Sequence, residues 1–296
     1  MRGILLAGGS GTRLYPTTRS VSKQLLPVYD KPAVYYPLST LMLAGIRDVL
    51  VISTERDTPL IRDLLGDGSQ WGMKLSYKVQ KKPEGIAQAF LIADDFIVNQ
   101  KCCLILGDNL FYADSIETTL RKCMAREDGA TILGYRVNQP EQFGVVEIDR
   151  DDRVVRLEEK PKTFISPWAV TGLYFYDRTV LEKAQRLKPS ARGELEITDL
   201  NRMYLEEGKL NVEKLGRGVA WLDMGTPESL LSSSIFVETI ERRQGLRIAC
   251  LEEIALNKGF VTLNELKKTL ESYPTSAYKA YLERIVNNPD MYLIQR

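Results

Sequence analysis

Apolar and polar positions follow two different rhythms along the first half of this chain. Short, nearly continuous apolar runs at Ile4–Ala7, Val49–Ser53, Leu75–Val79, Cys102–Leu106 and Ala130–Arg136 have the length and composition of buried strands. Between them, Pro32–Ala44, Pro59–Leu65, Ile86–Phe96 and Ser115–Ala125 carry the spacing of helices, the first opening near a proline and closing before Gly45. Strands and helices in alternation predict an α/β fold: a Rossmann-like, mostly parallel sheet with helices on both faces. In such sheets ligands sit beyond the carboxyl ends of the strands.

The second half is more mixed. Phe143–Asp149 and Arg153–Glu159, joined by Arg150-Asp151-Asp152, predict a β-hairpin. Trp168–Tyr176, Leu210–Lys214 and Ala220–Leu222 read as strands, and Glu196–Glu207 and roughly Pro227–Arg243 as helices. Past Gly245 the pattern is helical throughout, over Arg247–Lys258, Thr262–Ser272 and Ser276–Val286. No repeat or low-complexity linker interrupts the chain. The expected organisation is one α/β domain over residues 1–243, with a helical C-terminal extension, 244–296, packed on it.

Composition narrows the function classes. The 296 residues are 44% hydrophobic and 27% charged, ordinary globular material with room for a sizeable core. Forty basic against 39 acidic residues leave a net charge of +1, so nothing electrostatic favours a nucleic-acid partner. No apolar run approaches the ~20 residues that span a bilayer, and the N-terminus enters a strand without a leader pattern, so the expectation is a cytoplasmic protein with no membrane partner. Cys102, Cys103, Cys123 and Cys250 form no C-x-x-C and read as small buried hydrophobes in a reducing compartment. The chain has no histidine. That removes imidazole acid–base catalysis, histidine triads and the usual zinc sites, and leaves oxygen ligands, which favour Mg²⁺.

The strongest chemical signal is Gly8-Gly9-Ser10-Gly11-Thr12-Arg13-Leu14, directly after the first strand. Glycines let backbone N–H groups close around an anion, and Arg13 and Lys23 add two cations, which together describe a polyphosphate pocket. A dinucleotide fingerprint fails because Leu14 stands where its third glycine belongs, and no Gly-Lys-Ser or Gly-Lys-Thr of a P-loop occurs. Gly107-Asp108-Asn109 follows a strand and suits either a plain turn or a carboxylate holding a cation. Asp223, in Trp221-Leu222-Asp223-Met224-Gly225, suits either a helix cap or a second such carboxylate. Glu158-Glu159-Lys160-Pro161 reads on composition alone as a solvated strand end.

Leu6-Ala7-Gly8-Gly9-Ser10-Gly11-Thr12-Arg13-Leu14, Pro16, Lys23 and Pro27-Val28 resemble the signature of the sugar-1-phosphate nucleotidylyltransferase family. Pro27–Pro32, Tyr35–Met42 and Gly66-Asp67-Gly68-Ser69 narrow the resemblance to its glucose-1-phosphate thymidylyltransferase branch. The likeness covers most of the chain and weakens after about residue 243. It implies a catalytic domain that joins dTTP to glucose 1-phosphate, releasing pyrophosphate and dTDP-glucose. By resemblance, Leu6, Gly8, Gly9, Gly11, Thr12, Arg13, Gln80, Gly85 and Asp108 would hold the nucleotide, with Gln80 and Gly85 at the pyrimidine. Gly144, Glu159, Lys160, Val170 and Arg192 would hold the sugar phosphate, Asp108 and Asp223 the Mg²⁺. Arg13, Lys23, Asp108, Lys160 and Asp223 would carry catalysis. No protein nucleophile or general base is needed, because the attacking phosphate oxygen is already anionic; positioning and charge neutralisation suffice.

The resemblance also implies a homotetramer and a dTDP-sugar effector, serving deoxysugar synthesis such as that of dTDP-rhamnose. Three departures stand out: Lys81 and Lys82 in the Gln80–Gly85 loop, Met224 and Pro227 in place of the usual Thr and His, and a shortened stretch around Phe111–Asp114. The rival readings are the same chemistry with UTP or another hexose 1-phosphate, and a non-catalytic sugar-nucleotide-binding regulatory subunit. An NAD-dependent dehydrogenase is disfavoured by Leu14.

Overall fold

The computed structural model describes residues 1–9, 11–114 and 116–292. Its first half alternates as the hydrophobic pattern requires. In order come β1 (Arg2–Leu6), β2 (Pro27–Val28), β3 (Lys31–Pro32), α1 (Tyr35–Leu43), β4 (Asp48–Ser53), α2 (Thr58–Leu65), β5 (Lys74–Val79), α3 (Gln88–Ile92), α4 (Asp94–Ile97), β6 (Cys102–Leu106), β7 (Asn109–Tyr112), α5 (Ile116–Met124) and β8 (Ala130–Arg136). The second half adds β9 (Gly144–Ile148), β10 (Val154–Glu159), β11 (Trp168–Tyr176), α6 (Val180–Arg186), α7 (Ile197–Glu206), β12 (Leu210–Lys214) and β13 (Ala220–Asp223). Five helices close the chain: α8 (Pro227–Gln244), α9 (Leu251–Asn257), α10 (Leu263–Glu271), α11 (Ala277–Asn287) and α12 (Pro289–Tyr292).

Strands β5, β4, β1 and β6 run parallel in that order. Beside β6 lies β11, antiparallel, followed by β8, with β12 parallel to β8 at the far edge. The β9–β10 hairpin joins along the first part of β11, where Ala169 pairs with Val145. Successive strand residues feed opposite cores. Leu5, Val49, Val51, Cys103 and Ile105 pack on one face; Ile4, Leu6, Leu50, Ile52, Cys102 and Leu104 pack on the other. Burial on both faces is why these strands read as unbroken apolar runs. The adjacent Cys102 and Cys103 serve opposite faces, and all four cysteines are free and buried.

Several boundaries differ from the pattern, each for a visible reason. The helix expected from Pro32 begins at Tyr35, because Lys31-Pro32 pairs with Pro27-Val28 in a small hairpin. The helix expected over Ile86–Phe96 is two, α3 and α4. Lys78 Nζ takes the Ile92 carbonyl at 2.8 Å, the acceptor a continuous helix would offer Phe96, whose N–H turns to Ala93 instead (2.8 Å). The helix expected from Arg247 starts at Leu251, since Ala249 holds a positive φ of 53° and the Arg247 guanidinium is committed to Asp30. Ser115, the expected first residue of α5, lies outside the described residues. Strand β7 and helix α6 were not expected from periodicity.

The C-terminal helices are fastened to the sheet domain. Helix α9 packs on α1, and Lys258 Nζ binds the Leu43 carbonyl (2.9 Å) and Glu117 (2.7 Å). Glu252 is 2% exposed and accepts from Trp71 Nε1 at 3.0 Å and Tyr273 Oη at 2.6 Å, and also from Tyr278 Oη. Around it Cys250, Leu266, Leu270, Leu282 and Ile285 form a separate apolar cluster. Among the described residues, no helix is long and apolar enough to cross a membrane.

A buried carboxylate that accepts from an indole, two phenols and the Cys250 thiol is costly to delete. Glu252→Ala is expected to lower unfolding stability by about 3 kcal/mol or more, read from urea denaturation, whereas Glu252→Gln, which keeps one acceptor oxygen, loses less. Equal stability of both variants with the parent would show that the extension is not held through this residue.

Candidate active site

The glycine loop leaves β1 and Gly107-Asp108 leaves β6 at the same edge of the sheet, where the Gly107 N–H donates to the Leu6 carbonyl at 2.8 Å. Two adjoining cavities open there, of about 280 and 250 Å³. Leu6, Gly8, Gly9, Lys23, Gln80 and Gly85 line the first; Gly144, Glu159, Lys160, Val170, Arg192 and Asp223 line the second. Arg13 and Asp108 line both, and so mark the junction.

On the first side the loop is held close to its neighbours. Ser53 Oγ donates to the Ala7 carbonyl (2.8 Å), and Gln24 Nε2 to that of Gly8 (3.3 Å). A side chain at Gly8 would collide with Gln80 Oε1, so glycine is what lets the buried Gln80 amide reach the loop. Gly85 has φ +105° and lies against the Leu195 backbone, which pairs with this segment through Leu195 N to Glu84 O (2.7 Å) and Ala87 N to Leu195 O (3.1 Å). Gly11 and Thr12 line neither cavity. They form the turn itself, fastened by Thr18 Oγ1 to the Gly11 carbonyl at 2.8 Å, and Thr12 is exposed.

The two carboxylates meet although 115 residues separate them. Strand β13 pairs antiparallel with β7, setting Asp223 opposite Asn109, and the Met224 N–H donates to the Asp108 carbonyl at 2.9 Å. Burial alone would push the Asp108 carboxyl up. The charge and hydrogen bond of Lys23, with Nζ 2.6 Å from Oδ2, outweigh it and hold the group below the ordinary carboxylate range, helped by Asn109. Asp223 goes the other way. Burial and then the negative charge of Asp108 push its carboxyl up, against the attraction of Arg13. Asn109, which the sequence offered only as part of a turn, orders this arrangement. Its Oδ1 accepts from Trp221 Nε1 (2.6 Å) and the Gly172 N–H (3.1 Å), which turns Nδ2 onto Asp108 Oδ1 (3.0 Å). The Gly172 N–H is available because β11 shifts register against β8 between Val170 and Tyr174.

On the second side, the hairpin sets Gly144 opposite Glu159, and Thr198 Oγ1 donates to Glu159 Oε2 at 2.7 Å. Lys160 is exposed, at a positive φ of 44°, with its N–H on the Phe143 carbonyl (3.0 Å). Arg192 reaches the same cavity but is clamped by Glu196, Nη2 lying 2.9 Å from each carboxylate oxygen. Tyr174, buried in the wall, has its phenol pushed up by burial, Glu159 and Asp108, and so stays a neutral hydroxyl. Sequence reasoning missed Thr198 at the start of α7, Glu196 just before it and Trp221 on β13; only packing brings them to the cavity.

The sequence model of the nucleotidyl transferase family, described as "Nucleotidyl transferase", matches residues 2–240. The glucose-1-phosphate thymidylyltransferase of Neisseria gonorrhoeae is 57% identical over 286 residues, 97% of this chain and 99% of that protein. A Bacillus anthracis protein assigned as a glucose-1-phosphate thymidylyltransferase, solved in complex with sucrose, superposes with a TM-score of 0.75 at 41% identity, over 80% of this chain and 94% of its own. A UDP-glucose pyrophosphorylase complexed with UDP-glucose superposes at 0.71 with 21% identity, over 81% and 98%, a likeness of fold.

A carboxyl raised in the folded state binds its proton more tightly there than in the unfolded chain, so its contribution to stability falls as pH rises out of the ordinary carboxylate range. Asp223→Asn removes that penalty. In metal-free buffer the variant should melt above the parent at neutral pH, with the difference vanishing near about pH 3. A parent that melts higher than the variant at neutral pH would contradict the repulsion between Asp108 and Asp223.

Proposed function

The chain belongs to the nucleotidyl transferase family, and on that ground we propose that it transfers a thymidylyl group from dTTP to glucose 1-phosphate, giving dTDP-glucose and pyrophosphate. The supporting observation is the junction itself. Two cavities of about 280 and 250 Å³ share Arg13 and Asp108, with Lys23 on one side and Lys160 on the other. The triphosphate takes the cavity of the glycine loop, its base toward Gln80 and Gly85, and the sugar phosphate takes the cavity of Gly144, Glu159, Lys160, Val170 and Arg192.

A sugar-phosphate oxygen attacks the α-phosphorus, and pyrophosphate leaves in line. Lys160 holds the attacking phosphate and Glu159 the sugar hydroxyls, while Val170 and the bare backbone at Gly144 leave room for the ring. Arg13 and Lys23 neutralise charge on the triphosphate as it passes through the transition state, where fixed cations are worth most. Two convergent carboxylates, one of them raised by burial and by the charge of the other, suit a divalent cation, as this family's chemistry calls for. Oxygen ligands would fit Mg²⁺. When bound by Asp108 and Asp223, the cation supplies further charge neutralisation at the transferring group.

The four buried free cysteines accord with a cytoplasmic setting. Exposed Leu231 and Ile235 on α8, with exposed Tyr29 bonded to the same helix at Ser234, accord with assembly into a homotetramer.

Pyrophosphate release with Mg²⁺, glucose 1-phosphate and each nucleoside triphosphate in turn tests the reading. Release should be strongest with dTTP, and Asp108→Asn or Asp223→Asn should lower kcat by about 10²–10³-fold or more while the protein stays folded. A preference for UTP or another hexose 1-phosphate would reassign the substrate. No release with any combination would overturn catalysis in favour of sugar-nucleotide binding alone.

A further inference from the structure

From the end of β5 to the first residue of α3 runs a relay of side chains, of which the chemistry above uses only Gln80. Gln80 Nε2 donates to Gln88 Oε1 at 2.7 Å, and the same oxygen accepts the Glu84 backbone N–H at 3.2 Å. Gln88 Nε2 in turn donates to Glu84 Oε2 at 2.7 Å. A carboxamide can be turned end for end without steric cost, so its partners decide which end faces where. Both partners of Gln88 at Glu84 have one polarity: a backbone N–H only donates, and a carboxylate only accepts. Gln88 must therefore offer its oxygen to Gln80, and Gln80 must turn its own nitrogen to Gln88. The Gln80 oxygen is left against Gly8, in the wall of the nucleotide-side cavity. Gln80 is only 4% exposed, so a reversed amide would set two oxygens face to face without solvent to relieve them.

We propose that Gln88 and Glu84 are positioning residues that fix the polarity of Gln80 and thereby select a base with an N–H flanked by two carbonyls. This rests on the reading that Gln80 meets the pyrimidine. The Gln80 oxygen accepts the imide N–H of thymine or uracil. Cytosine presents a lone pair at the same ring position and meets that oxygen as repulsion. The relay ignores the methyl group that separates thymine from uracil, so it sets the class of base and not the choice within it.

The test is the ratio of dCTP to dTTP dissociation constants, measured by calorimetry on the full chain with UTP alongside, together with kcat and KM for dTTP. Gln88→Leu should lower the ratio about tenfold, raising KM for dTTP with kcat little changed. Glu84→Gln should lower it less, because the backbone N–H still holds the Gln88 oxygen. The exchanged pair, Gln88→Glu with Glu84→Gln, keeps an acceptor toward Gln80 and should restore the ratio. A residue with a merely structural role would weaken dTTP, UTP and dCTP alike. If Gln80→Leu lowers the ratio and Gln88→Leu does not, the relay is overturned. If Gln80→Leu leaves it unchanged, the placement of the base against Gln80 is itself wrong, and the relay falls with it.

Discussion

Two like charges brought together at the edge of a buried sheet are the constraint on which this structure turns. Asp108 arrives at the end of β6 and Asp223 at the end of β13, and a four-residue ladder between β7 and β13 holds them side by side. The chain does not relieve the repulsion by separating them. It pairs Asp108 with Lys23, locks the other Asp108 oxygen to Asn109, and leaves Asp223 to Arg13 across the cavity. A fold that stores such a conflict is poised for a cation. This is the usual trade between a stable scaffold and a competent site.

The surroundings make that poise durable. Asn109 cannot reverse, because both groups facing its oxygen, the Trp221 indole and the Gly172 N–H, are pure donors. The same logic governs Gln80 through Gln88 and Glu84. In each case a side chain that can point either way is given one direction by partners that cannot. The cations Lys160 and Arg192 stand instead on the second cavity. Arg192 is already clamped by Glu196, so its charge is partly spent before any phosphate arrives.

Most of the architecture was legible because burial on both faces leaves an unmistakable trace. The runs at Ile4–Ala7 and Cys102–Leu106 could hardly be anything but central strands. The misses lie where a distant side chain overrides a local preference. Lys78 takes a carbonyl from the helix after it and splits Ile86–Phe96 in two. Asn109–Tyr112 has turn residues at its head and becomes a strand only because β13 lies beside it. Arg247 is held by Asp30, more than two hundred residues earlier, so α9 begins later than its period suggests.

The sequence by itself determined the α/β class, the glycine-rich loop followed by the two cations Arg13 and Lys23, and the absence of any imidazole. These are written in composition and local spacing, which act over a few residues. Only the tertiary structure decided that Asp108 and Asp223 share a site, that Asn109 orders them, and that Glu159 answers to Thr198. Such facts depend on strand order and register, which are settled by the packing of the whole core and leave no mark on the spacing of the residues they bring together.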